Sequence, residues 1–162
     1  MTNPIAPTLL LAENDSPLRD LLRLAFSQAG WQVTCARDGV EALALARQDR
    51  PLVAVLNILL PKVNGLDVMR LLKKQPGCEQ VPVILMSELA FRETVQQAIA
   101  AGAHDFLVKP FDLQVLLAKA QKAVRLPAVP APAAQAAARG PQVRPFLPPV
   151  CQKPAEEMPP AA

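Results

Sequence analysis

The stretch that decides the fold is VAVLNILLPKVNG, Val53 to Gly65. An unbroken apolar run, reaching back to Leu52, ends on Asn57, and a proline–lysine turn follows. A run that is apolar on both alternations marks a strand covered on both faces, as the central strands of parallel sheets are. Such a strand delivers its last residue to the rim of the sheet, so the neutral amide of Asn57 becomes the question.

Working outward, the flanking sequence reads as five strand–helix pairs. TLLLA (8–12) is a compact apolar strand, and SPLRDLLRLAFSQAG opens a helix with Ser16 as expected N-cap and Pro17 at the first helical position. Leu18, Leu21, Leu22 and Ala25 recur at helical spacing, and Gly30 ends the helix. WQVTCA (31–36) alternates as an edge strand does, and DGVEALALARQD follows as a helix expected to bury Val40, Leu43 and Ala44. A third helix is expected from about Gly65 to Gln75, a strand at VPVILM (81–86), and a fourth helix from about Phe91 to Ala101. DFLV and DLQVLLAKAQKAVR complete the fifth pair. Asn64-Gly65 reads as a turn in which glycine supplies positive φ. Strict β/α alternation with these loop lengths implies an α/β fold, a parallel sheet joined by right-handed crossovers.

Composition limits the function classes. The 162 residues carry 51% hydrophobic and 4% aromatic side chains, so the core is aliphatic. A net charge of +3 gives no basic stripe and no argument for nucleic acid or a membrane surface. Three cysteines, Cys35, Cys78 and Cys151, stand far apart, which speaks against a disulfide framework or a zinc site. No apolar run has membrane-spanning length and the N-terminus lacks a basic leader, so the expectation is a soluble, cytoplasmic protein. Residues 126–162 hold ten of the 18 prolines and ten alanines. They read as a disordered tail after a domain at 8–125 and an N-terminal extension at 1–7. RPFLPP (Arg144–Pro149) is the one candidate docking motif in that tail.

In open parallel sheets, ligands bind beyond the carboxyl ends of the strands. The residues that follow the five apolar runs include Glu13, Asn14, Asp15, Asn57, Ser87 and Lys109, and all are expected on one rim. The stretches LLLAENDSPLRDLL, ARDGVEALALA, LNILLPKVNGLDVMRLLK, VPVILMS and AGAHDFLVKPFDLQVLL resemble the receiver domain of two-component response regulators, over about residues 8–125. The resemblance implies a five-stranded sheet in the order 2-1-3-4-5 with five helices, the flavodoxin-like arrangement. It also implies a cis bond at Lys109-Pro110. Family members accept a phosphoryl group on an aspartate that ends the third strand. Two acids after the first strand help hold Mg²⁺, and a Ser or Thr and a Lys contact the phosphoryl group.

Carried over residue by residue, Ser87 and Lys109 match. Glu13 keeps a carboxylate, whereas Asn14 replaces the second acid and Asn57 the phosphoacceptor. Asn64 stands where an aspartate is usual, and Phe106 occupies the aromatic switch position without a hydroxyl. An amide is too poor a nucleophile to form an acyl phosphate. An ordinary pocket of three carboxylates and one lysine has net charge −2. Here Glu13 and Lys109 cancel, so binding of Mg²⁺ is expected to be weak or absent.

The expected function is therefore a stand-alone receiver in phosphorelay signal transduction. It would act by protein–protein contact, without catalysis and without aspartyl phosphorylation at Asn57. The contact face implied by the resemblance is the fourth helix, fifth strand and fifth helix, with Arg92, Gln96, Gln97, His104, Lys119 and Lys122; the tail is a second route to a partner. Two alternatives stand beside it: phosphorylation on another acid, Asp15 being nearest, and small-ligand sensing in the neutralised pocket. Asn57 can equally be a hydrogen-bonded plug, Ser87 a turn residue, Phe106 a core residue and Lys109 a structural partner of Glu13.

Overall fold

The computed structural model describes residues 6–89 and 91–124, and the proline-rich tail with its RPFLPP motif lies outside them. The elements run β1 (Thr8–Ala12), α1 (Ser16–Gln28), β2 (Gln32–Ala36), α2 (Gly39–Asp49), β3 (Val53–Asn57), α3 (Gly65–Leu72), β4 (Val83–Ser87), α4 (Arg92–Ala100), β5 (Asp105–Val108) and α5 (Leu113–Ala123). All strands pair in parallel in the order β2-β1-β3-β4-β5, as the resemblance implied.

Strand alternation divides the core into two layers. Leu9, Leu11, Val53, Val55, Ile84, Met86 and Leu107 pack with Leu22 and Phe26 of α1 and with Leu116 and Ala120 of α5. Leu10, Ala12, Ala54, Leu56, Val83 and Leu85 pack with Ala42, Ala46, Val68, Met69, Leu72 and Ala98 of α2, α3 and α4. A strand apolar at every position is what a sheet with helices on both faces requires, and β3 is buried at all five positions.

Several local expectations need correction. Asp15, not Ser16, caps α1: its carboxylate accepts the Leu18 N–H at 2.8 Å, and Pro17 falls inside the first turn. Leu21 is half-exposed and Leu22 carries the contact with the sheet, joined by Phe26. In α2 the buried face is Gly39, Ala42 and Ala46, with Leu43 partly buried, while Val40 and Ala44 face outward. Helical spacing alone left the phase of that stripe open, because the helix is nearly all apolar or small on three sides. The third helix ends at Leu72, and a turn carries the chain through Gln75.

The glycine after Asn64 does a different job from the expected one. Gly65 is the first residue of α3, and Asn64 is its N-cap, accepting the Asp67 N–H at 2.9 Å. A Cβ at Gly65 would stand 2.2 Å from the Asn57 carbonyl oxygen, so glycine is needed for close approach and not for positive φ. A Cβ at Gly39 would likewise meet the Val63 carbonyl oxygen at 2.1 Å.

These approaches clasp the β3–α3 loop to the start of α2. Gly39 N–H donates to the Pro61 carbonyl at 3.2 Å, and Lys62, itself left-handed at φ 65°, reaches Asp38 at 2.7 Å. The hydrogen bond from Lys62 and the Glu41 N–H hold the Asp38 carboxyl below its ordinary value. A carboxylate whose folded value is lowered stabilises the fold above the unfolded value, about 3.9, and loses that contribution as pH falls through the folded one. Asp38→Asn keeps a capping side chain and removes the charge. Urea unfolding should show a steady stability gap between the two proteins near neutral pH, narrowing below about pH 4. A gap unchanged into strong acid would show that the ion pair contributes nothing.

Candidate functional site

Parity and register build the site. Ala12 of β1 pairs with Leu56 of β3, so the next residues, Glu13 and Asn57, lie side by side. Both continue the alternation that faces α1 and α5, as does Lys109 two residues after Leu107. Backbone bonds pin Glu13, Lys109 and the residue after Asn57: Glu13 N–H to Ala36 O at 3.0 Å, Lys109 N–H to Ser87 O at 2.8 Å and Ile58 N–H to Met86 O at 2.8 Å. The Lys109-Pro110 bond is cis, as expected.

Glu13 is the centre of the cluster. Its side chain is 1% exposed and that of Lys109 10%, and Lys109 Nζ donates to Oε2 at 2.7 Å. Oε1 accepts from Asn57 Nδ2 at 3.0 Å and from the Asp15 N–H at 3.1 Å. A buried carboxylate needs hydrogen-bond donors on both oxygens, and here a cation and two N–H groups supply them. Asn57, 6% exposed, uses its oxygen to accept the Leu59 N–H at 3.2 Å. The Asn14 amide lies against the same groups. Its oxygen accepts from Asn57 Nδ2 at 2.9 Å; with the amide turned over, its nitrogen instead donates to the Leu59 carbonyl at 3.1 Å and to Glu13 Oε1 at 3.2 Å, at the loss of that bond. Arg19 of α1 anchors the loop from outside, donating to the Glu13 carbonyl at 2.8 Å.

The remaining expected residues sit nearby in other roles. Ser87 is fully buried, and its hydroxyl accepts the Leu89 N–H at 3.0 Å, which tightens the turn after β4. Phe106 is partly buried against the α2–α4 layer of the core. The Asp15 carboxylate is occupied by the α1 cap, on the exposed side of the loop. Sequence reasoning missed an open cleft of about 400 Å³ beside the cluster, lined by Leu18, Leu21, Glu88, Lys109, Pro110, Phe111 and Leu113. The only hint was that Leu21 shares a helix face with Leu18.

Residues 9–121 match the response regulator receiver domain. This chain belongs to that family. Receiver domains are signalling modules of two-component systems, and the relatives agree. The transcriptional regulator RpaA of a Synechocystis strain is 33% identical over 119 residues, covering 74% of this chain and 49% of RpaA. The response regulator MprA of Mycobacterium leprae is 36% identical over 120 residues, covering 72% of this chain and 50% of MprA. Among solved structures, the chemotaxis response regulator CheY4 of Vibrio cholerae superposes with a TM-score of 0.69 at 27% identity, over 74% of this chain and 99% of CheY4. The chain thus spans about half the length of the curated relatives it matches. RpaA is described as DNA-binding, a property of that whole protein. Among the described residues of this receiver domain, no helix is long and apolar enough to cross a membrane.

Removing one partner of the buried pair tests how the cluster is held. Lys109→Met leaves the Glu13 carboxylate buried without its cation and should cost about 3–5 kcal/mol. Adding Glu13→Gln removes the stranded charge and should recover most of that loss. Urea denaturation of both variants measures it, and equal stability of the single and double variants would show that the pair is not coupled.

Proposed function

We propose that this receiver domain signals by protein–protein contact in a fixed state, with no phosphoryl transfer to position 57 and no resident Mg²⁺. The observation that carries this reading is the condition of Glu13, whose carboxylate is engaged by Lys109, Asn57 and the Asp15 N–H before any ligand arrives. Mg²⁺ binds through carboxylates supplemented by water and phosphate, and a neutral donor set with one carboxylate already ion-paired does not fit it. Asn57 offers an amide in place of a nucleophilic carboxylate. Ser87 and Lys109 persist, but they serve the β4–α4 turn and the buried pair.

The contact face expected for a partner has suitable surface. Arg92, Gln96, Gln97, His104 and Lys122 are exposed, and Phe91, Ile99, Val108 and Val115 add apolar area at 65%, 63%, 38% and 44% exposure. Lys119 is partly buried and paired with Asp105, so it orders β5 against α5 instead of projecting freely. Exposed apolar side chains ringed by polar ones are the usual composition of a protein-binding patch.

Restoring the acids tests the reading. Asn57→Asp brings the pocket to net −1, and adding Asn14→Asp brings it to −2, the value of an ordinary receiver pocket. The double variant should bind Mg²⁺ and gain one phosphate from acetyl phosphate, because Ser87 and Lys109 remain to steady the transferring group. The unaltered protein should do neither in calorimetry and mass spectrometry. Tight Mg²⁺ binding by the unaltered chain, or a mass gain of one phosphate on it, would overturn the proposal and favour phosphorylation of another acid.

A further inference from the structure

Asn64-Gly65 is the one Asn-Gly pair in the chain, and it carries a reactivity that the signalling reading leaves unused. Glycine has no side chain to shield its backbone nitrogen, so in an open chain that nitrogen readily reaches the preceding amide carbon and closes an imide ring. Asn64 is exposed to water, while Gly65 is buried. In the folded chain the reacting groups are held apart. The Gly65 N–H donates to the Ile58 carbonyl at 2.8 Å, which engages the proton that must leave before the nitrogen can attack. Asp67 grips the Asn64 amide at both atoms: Nδ2 donates to Oδ2 at 2.6 Å, and Oδ1 accepts the Asp67 N–H at 2.9 Å. Arg70 steadies that carboxylate, donating to its Oδ1 at 2.9 Å. With ψ of Asn64 at 157°, the Gly65 nitrogen lies out of line with the side-chain carbon. Ring closure requires near-attack geometry, hence a rotation about that bond which breaks the contact of Gly65 with β3.

We propose that Asn64 is a latent deamidation site, kept closed by Asp67 and the Ile58 carbonyl and released only when the first turn of α3 opens. The Gly65 nitrogen then gives its proton to hydroxide and adds to Asn64 Cγ. The Cγ–Nδ2 bond breaks, and ammonia leaves with a proton drawn back from solvent. One water opens the imide at either carbonyl, so asparagine plus water becomes aspartate or isoaspartate plus ammonia. The two products differ in fit. Aspartate keeps the backbone and the cap but faces the Asp67 carboxylate with like charge. Isoaspartate runs the chain through the side chain and adds a methylene to the backbone immediately before Gly65. At Gly65 even a Cβ would stand 2.2 Å from the Asn57 carbonyl oxygen, so the lengthened chain cannot regain that approach. Conversion therefore frees the loop above Asn57 for good. Its rate follows the local opening equilibrium of α3, which makes the site a one-way record of how often the loop over the rim has opened.

The full chain is incubated in mildly alkaline buffer beside a synthetic peptide spanning residues 60–69, and both are followed by mass spectrometry. Replacing the amide by an acid adds about 1 Da, read on the fragment that carries Asn64. The folded chain should convert at least about tenfold more slowly than the peptide, because only its opened fraction reacts. Asp67→Ala removes the carboxylate grip and should speed conversion of the folded chain severalfold. Asn64→Ser still caps α3 and should abolish the gain on this fragment. The isoaspartyl form, separated by ion exchange, should unfold at lower urea than the asparagine form. Equal rates in the folded chain and the peptide would overturn the proposal, and that comparison needs no variant. So would an Asp67→Ala rate equal to that of the unaltered chain, or an isoaspartyl form as stable as the original.

Discussion

A carboxylate with a side chain 1% exposed cannot be left unpaired, and Glu13 makes that demand at the one place where β1, β3 and β5 deliver their ends together. An isolated buried charge costs several kcal/mol even after the protein relaxes. The neighbouring chemistry answers it: Lys109 reaches in from the β5–α5 turn, Asn57 turns its amide nitrogen inward, and the Asp15 N–H closes the loop. The cluster is therefore self-satisfied. All three donors to this carboxylate come from the chain itself.

The same reasoning explains why Asn57 and Asn14 suit this rim. An amide both donates and accepts, so Asn57 can give its N–H to Glu13 while its oxygen takes the Leu59 N–H. An aspartate at either position would face Glu13 with like charge and would need a cation to stand between them. Charge at the rim is thus a collective quantity. Altering one member alters the protonation and pairing that the others require.

Much of this architecture was legible in the residues, and for identifiable reasons. A strand apolar at every position, as at 53–56, has one physical interpretation, and strict alternation of strands with helices leaves few topologies. The rim residues were legible because each closes an apolar run. What escaped was the phase of helices rich in alanine and leucine: in α2 nothing in composition separated Ala42 and Ala46, which are buried, from Ala44, which is not. The cap of α1 escaped because Asp15 and Ser16 are both good N-cap residues and only the backbone distinguishes them. Gly65 was legible as a glycine position but for the wrong cause, since close approach to the Asn57 carbonyl depends on how α3 folds back over β3.

That close approach also shows why the scaffold tolerates a change of chemistry at its rim. The two core layers are made by alternate residues of the strands. Positions 13, 57 and 109 inherit their direction from that alternation, whatever side chain they carry. Gly39 and Gly65 hold the loop above Asn57 through backbone contacts alone, which are likewise indifferent to the side chain at 57. Geometry and reactivity are therefore specified by different residues. The frame that places positions 13, 57 and 109 is therefore set apart from the question of whether they carry acids or amides.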